Sequence, residues 1–549
     1  MRTIVSGALG ECVHVAGISN FHRLAESANW RTVFLGPAVS IEKILEAAHR
    51  EKADLVGVSY RLTPDNGERL LAEFAEAADE LRTSGVRFVF GGTPPVAERA
   101  RKLGFFDACF DGTESPGQIL VYLRGGKIVG QTEIDYPQTV IERIHWKSPF
   151  PLLRHHFGLP SIDATIQGIE EIAVSEVLDV ISLGTDQDAQ ENYFHPERQN
   201  PRRRGAGGVP VRSAEDFLAL YIASRLGNYP LLRTYSGTDD FIRLAEMFVE
   251  TIHNAWAAIP IFWFNKMDGR GPWDLDGSIR EHQKLMRWYG ERSIPVEVNE
   301  PHHWGMRDAP DVLFVVAAYL SAYNARAFGV KDYIAQMMFN SPPGLTDAMD
   351  LAKMLAIIKM IESLAKPDFR IWRQTRTGLL SYPVDFDAAR AHLAASVYLQ
   401  MALHPHIVHV VGYTEADHAA TAENVIESCK LARRSVENAL GGPDMTQDER
   451  IQTRVAELTQ EAAITLEAIR DLAPEGVADP LVDAPTLARA IQTGILDAPQ
   501  LKNNPFGRGQ IVTRIDGRGA CIAIEPTTGS PLNERDRIAN LTNLSLLTS

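Results

Sequence analysis

The chain has 549 residues, too many for one hydrophobic core, and its 45% hydrophobic content is that of two or three globular domains. A net charge of −15, from 55 basic and 70 acidic residues, argues against a surface held by nucleic-acid phosphates. Its four cysteines, Cys12, Cys109, Cys429 and Cys521, form no CxxC pair, which argues against a zinc cluster and a disulfide framework.

Over residues 1–125, short apolar runs alternate with helical periods. Thr3–Val5, Thr32–Leu35, Leu55–Ser59, Phe88–Phe90 and Ala108–Phe110 read as strands, and Ile41–Lys52 and Gly67–Ser84 as helices. The pattern predicts an α/β domain with a doubly wound, flavodoxin-like parallel sheet, whose ligand lies at the carboxyl ends of the strands. Residues 126–150 read as a linker. From 151 to 440 the alternation restarts, with strands expected at Val180–Leu183, Leu231–Thr234, Ile259–Phe264, Pro295–Val298, Tyr333–Met338, Phe369–Ile371 and His406–Val411. Helical runs such as Phe241–Trp256, Ile279–Tyr289, Val312–Ala327 and Asp347–Leu364 separate them. So many βα units predict a (β/α)8 TIM barrel with its functional residues at the C-terminal ends of the strands. Residues 441–549 read as an extension, an amphipathic helix over Thr446–Leu472 followed by a glycine-rich tail. The basic stretch NPRRRGAGG (200–208) reads as a solvated loop, because it lacks the Lys-Ser/Thr pair of a phosphate-binding loop. The N-terminus shows no charged-then-apolar leader and no apolar run reaches spanning length, so a cytoplasmic protein is expected.

GALGECVHVAG (7–17) follows the first strand. A lone histidine in such a loop is more often solvated than a ligand. In a doubly wound sheet, however, the loops carrying His14 with Gly17, Ser59, and Gly91-Gly92 converge on one crevice. In order and separation these residues resemble the cobalamin-binding domain of methionine synthase and the base-off mutases, whose signature is Asp-x-His-x-x-Gly, Ser-x-Leu and Gly-Gly. The resemblance implies that His14 is the lower axial ligand of cobalt. It implies that Gly17, Ser59, Gly91 and Gly92 line the slot for the displaced nucleotide tail. The chain departs from the signature twice. Cys12 stands where the signature has the Asp that hydrogen-bonds the other ring nitrogen, with Glu11 as the neighbouring candidate for that support. Arg61 stands at the Leu position, with Leu62 after it.

Residues 150–535 resemble the catalytic subunit of glutamate mutase (methylaspartate mutase), and the first domain its cobalamin subunit, fused here small part first. LDVISLGTDQDAQENY (178–193), YPLLRTYSGTDDFIRLAE (229–246), RSIPVEVNEPHHWG (292–305), HVVGYTEADHA (409–419) and NPFGRGQIVTRIDGRGACIAIEP (504–526) carry the likeness. It implies an adenosylcobalamin-dependent radical isomerase, a carbon-skeleton mutase, in which a barrel closed by the cobalamin domain shields radicals from solvent. Glu415 matches a residue that holds the adenosyl ribose, although a nearby family lysine is Val411 here. The positions of the family's three substrate-clamping arginines hold His156, Glu191 and Tyr235, with Arg233 two residues from the last. Guanidinium forks are not replaced by an acid or a phenol, so a substrate other than glutamate is expected.

Glu191, Arg233, Tyr235 and Glu300 are the candidate catalytic residues, with Glu300 or a neighbouring histidine as proton partner. Glu300 could equally cap a turn. Of His302 and His303, one is expected to face the chamber, since adjacent residues on an extended segment point opposite ways. Asp186, Asp188 and Glu191 are expected to share the chamber, balanced either by Arg233 and Lys266 or by an amine or polyol substrate. The expected partner is a small-molecule substrate, with no nucleic acid and no membrane, and the expected assembly a homodimer. A cobalamin methyltransferase and a non-catalytic cobalamin sensor are the competing readings. The first would want a zinc-thiolate set and the second an output domain, and neither is visible in the sequence.

Overall fold

β1 (Arg2–Ala8), β2 (Trp30–Phe34), β3 (Leu55–Tyr60), β4 (Arg87–Gly92) and β5 (Ala108–Phe110) form one sheet in the order β2-β1-β3-β4-β5, every pair parallel. The computed structural model describes residues 2–114, 116–125 and 136–548 and divides the chain into two units, Met1–Tyr136 and Pro137–Ser549. Strand order reverses between β1 and β3, which opens a crevice beyond their carboxyl ends. Val5, Val56, Val58, Phe88 and Phe90 are buried with helix residues such as Ile44, Leu71 and Phe74. Burial on both faces is why these parallel strands read as continuous apolar runs.

The second unit holds β6 (Leu152–Phe157), β7 (Val180–Leu183), β8 (Leu231–Arg233), β9 (Ala257–Ile259), β10 (Val296–Val298), β11 (Asp332–Phe339), β12 (Arg370–Thr377) and β13 (Ile407–His409). They pair in parallel in the order β8-β7-β6-β13-β12-β11-β10-β9. A bridge from Tyr235 to Ala258 links the two ends, so the sheet is a nearly closed eight-stranded barrel. The α/β class and both architectures agree with the sequence reading.

Three local features differ from expectation. Residues 126–135 of the expected linker lie outside the described residues, and Val140–Lys147 is a helix. Its Val140 and Ile144 pack with Leu152, Val180, Leu231, Ile334, Trp372 and Ile407, the first inward residues of the barrel strands, and plug the N-terminal end. Residues 261–264, expected to prolong β9, form a loop in which Phe264 has φ +64°. The helix Glu449–Arg470 of the expected extension packs its Ile451, Val455, Leu458 and Leu466 into the main barrel core. Among the described residues no helix is long and apolar enough to cross a membrane.

Candidate functional site

Two places merit the description, one in each unit. In the first, the β-ladder fixes the crevice floor. Ser59 pairs with Ala8 on one side and Gly91 on the other, and Tyr60 pairs with Gly92. The backbone of the β1 loop is pinned to its neighbours, Leu9 N–H donating to Ser59 O (2.9 Å) and Ala38 N–H to Cys12 O (2.9 Å). His14 stands exposed on this loop, just before the helix Ala16–Ser27. Its Nδ1 lies 3.9 Å from the Cys12 sulfur. Ser59 is buried, yet its Oγ has no hydrogen-bond partner among the described residues. A Cβ at Gly92 would stand 2.6 Å from the Phe90 ring and 2.9 Å from Tyr60 O, so only glycine fits. A Cβ at Gly17 or Gly91 would meet nothing within 4 Å, which marks open space beside both.

The second place is the barrel lumen. Side chains two apart on a strand share a face, and Arg154 and His156 on β6, like Gln374 and Arg376 on β12, point inward together. Contacts across the barrel prove it. Glu297 on β10 accepts from Arg154 Nη1 (3.1 Å), Arg233 Nη2 (3.0 Å) and Trp256 Nε1 (2.7 Å). Arg154 also donates to Gln374 Oε1 and Ser182 Oγ, each at 2.7 Å. His156 Nε2 lies 3.2 Å from the Tyr235 hydroxyl, its ring stacked on Tyr235 and 4.8 Å from that of His409. Burial pushes the Glu297 carboxyl up, but Arg154 and Arg233 outweigh it and hold the group at about 2. Burial pushes Arg154 down to about 9, so it stays charged at neutral pH. Burial pushes His156, His302, His303 and His409 well below the ordinary imidazole range, reinforced by neighbouring arginines at His156, His302 and His409 and by the adjacent His302 at His303, which favours the neutral imidazole.

The lumen is therefore cationic: Arg154, Arg233 and Arg376 face one paired carboxylate, Glu297. Arg233 is fully buried, with Nε and Nη1 unpartnered among the described residues. Arg376, also buried, makes one long bond among the described residues, Nε to Thr377 O at 3.4 Å. Buried N–H groups left unpaired, as at Arg233, are costly, and a ligand oxygen would satisfy them.

Residues 2–121 match the B12 binding domain family. The first unit is a B12-binding domain. Two similar solved structures are a cobalamin-binding protein from Desulfitobacterium hafniense DCB-2 and the methanol:cobalamin methyltransferase complex MtaBC from Methanosarcina barkeri. The first is 21% identical with a TM-score of 0.18, covering 20% of this chain and 52% of that one. The second is 19% identical with a TM-score of 0.20, covering 23% of this chain and 48% of that one. The matches thus span about half of each of those two proteins. A third, 2,3-dimethylmalate lyase, is 12% identical with a TM-score of 0.28, covering 61% of this chain and all of that one.

The B12-binding domain's own residues fit the group. An imidazole outside the sheet end, an orphaned Ser59 hydroxyl and open space beside Gly91 and Gly17 suit a large ligand entering over β1, β3 and β4. His14 is the nitrogen donor that would meet cobalt, and Ser59 a hydrogen-bonding group in the slot.

Other candidate residues are placed differently from expectation. Residues 187–191 are a helix, not a strand continuation, so Asp186, Asp188 and Glu191 do not align by twos. Asp186 caps this helix and is held by Arg212 at 2.6 and 2.8 Å. Asp188 accepts from Arg203 at 2.5 Å, and half-buried Glu191 pairs with the same guanidinium at 3.3 Å. The balancing cations are thus Arg203 and Arg212 rather than Arg233 and Lys266. Arg203 belongs to the stretch expected to be solvated. Buried Glu300 accepts from Ile261 N–H (2.8 Å), Phe262 N–H (3.0 Å) and Trp304 Nε1 (2.8 Å), which shapes the loop after β9; burial raises its carboxyl to about 7. His302 and His303 lie on the helical turn Glu300–Gly305 with rings stacked at 4.3 Å, not splayed as an extended segment would have them. Glu415 is exposed on the loop after β13, within the field of Arg376. Arg154, Glu297, Arg376 and His409 escaped sequence reasoning. The period-two pairs R-x-H (154–156) and Q-x-R (374–376) were the signal that could have found them.

Proposed function

We propose that this chain is an adenosylcobalamin-dependent radical isomerase, a carbon-skeleton mutase resembling glutamate mutase. It acts on a small-molecule substrate other than glutamate that carries a carboxylate. The observation that carries this reading is the cationic lumen, joined in one chain to a B12-binding domain. His14 would hold adenosylcobalamin, and the cofactor would supply radical chemistry when bound.

The chain's residues do the rest. Arg233, fixed through Nη2 by Glu297, has Nε and Nη1 unpartnered among the described residues, and these two donors point to different sides of the guanidinium, so each offers a single charge-assisted hydrogen bond to a ligand oxygen. Arg376 supplies a second cation. Tyr235 and neutral His156 donate or accept at an uncharged part of the substrate and set its rotation. The apolar plug closes the N-terminal end of the barrel to water, which suits radical chemistry. Because Arg203 and Arg212 between them pair with every member of the acidic trio, the amine or polyol substrate that unpaired acids would have favoured is not needed.

Hydrogen exchange between substrate and the adenosyl 5′ carbon tests the reading. Protein loaded with tritiated adenosylcobalamin is mixed with a panel of hydroxy, amino and dicarboxylic acids, amines and polyols. Label is expected to pass to a carboxylate-bearing member, and not to glutamate or 3-methylaspartate. Methyl transfer from methylcobalamin with no exchange for any member would overturn the isomerase reading, and exchange into amines or polyols alone would overturn the substrate class.

A further inference from the structure

We infer that the Cys12 thiol, not the Glu11 carboxylate, orients His14 for cobalt and makes it an uncharged-supported, weak lower ligand; this rests on the reading of His14 as that ligand. Cys12 is fully buried in the first unit's core. Its backbone is tied at both ends, N–H to Leu9 O (3.2 Å) and O to Ala38 N–H (2.9 Å). The sulfur is therefore a fixed point, and it stands 3.9 Å from His14 Nδ1, within hydrogen-bond reach for sulfur. Glu11 is exposed and makes no hydrogen bond to His14 among the described residues. With Nδ1–H donating to sulfur, the lone pair is left on Nε2, the nitrogen free to meet a metal.

The partner sets the ligand's strength. An aspartate opposite Nδ1–H would bring full negative charge and raise the basicity of the other nitrogen. A thiol sulfur is a weak acceptor without formal charge. It fixes the ring's orientation and tautomer yet adds little donation, so the cobalt–nitrogen bond is weak and reduction from Co(II) to Co(I) is less hindered than with a carboxylate.

The test compares wild type with Cys12→Ser, Cys12→Ala and Cys12→Asp. It reads cobalamin affinity by titration, the nitrogen splitting in the Co(II) paramagnetic resonance spectrum, and the Co(II)/Co(I) midpoint potential. Thermal unfolding of the cobalamin-free variants identifies any that are misfolded. Serine, which keeps an acceptor, is expected to stay near wild type. Alanine is expected to weaken cobalamin binding by about 10- to 100-fold. Aspartate is expected to tighten it and move the potential to more negative values. Wild-type affinity, splitting and potential in Cys12→Ala would overturn the inference. If wild type itself shows no histidine nitrogen on cobalt, the reading of His14 has failed first and this inference with it.

Discussion

Replacing Glu297 by glutamine is expected to destabilise the protein by about 3–5 kcal/mol, because it leaves Arg154 and Arg233 as buried guanidiniums with no charge partner. The substitution is isosteric, so the loss is electrostatic and not a cavity. The pH dependence follows with a definite sign. The folded carboxyl titrates at about 2 against an ordinary 4.5, so its stabilisation is fully present above about pH 4.5 and is lost as the pH falls towards 2. Urea unfolding of both proteins across that window checks this: the wild type should lose its advantage on acidification while the variant stays nearly flat in this contribution. Equal stability at neutral pH would mean the lumen is wet enough to solvate both arginines.

Arg376→Met is expected to move stability and activity in opposite directions. Arg376 is buried and, among the described residues, hydrogen-bonds no carboxylate, so its removal breaks no ion pair and relieves a desolvation cost. The melting temperature should hold or rise. Hydrogen exchange with a carboxylate substrate should fall by about 10²–10³-fold, the cost of truncating one partner of a desolvated charge pair. Such a trade is the mark of a group kept for binding. Unchanged exchange together with a large loss of stability would assign Arg376 to the barrel's architecture instead.

The contrast between the two units shows what a sequence displays. In the first, β1, β3 and β4 are buried on both faces and carry apolar runs, so the strands were legible; of the crevice candidates expected in loops, His14 lies in one, whereas Ser59, Gly91 and Gly92 are the closing residues of β3 and β4 and Gly17 is in the helix Ala16–Ser27. In the barrel, the strands that carry the polar lumen hide themselves. β6 is LLRHHF and β12 is RIWRQTRT; inward arginines, histidines and glutamine break the apolar pattern, so β6 was missed and β12 was expected to end at Ile371. Conversely, the apolar residues 261–264 look like strand, but they pack around the Glu300 carboxylate as a loop. Glu297 between two valines is the same disguise in miniature, one inward residue flanked by two outward ones. Local patterning fails where buried polar groups are kept for function. The acids at 186–191 misled for another reason: their compensating arginines lie more than ten residues downstream, and only the fold brings them back.

The central claim is that His14 binds cobalt. Its most direct test is the electron paramagnetic resonance spectrum of the Co(II) cobalamin form, recorded with protein containing natural and then nitrogen-15 histidine. Each cobalt line is split into three by one natural nitrogen, and the account predicts that labelling turns the triplets into doublets and that His14→Ala removes the effect. Triplets unchanged by the label would show the lower ligand to be the cofactor's own base or another group, and would contradict the account.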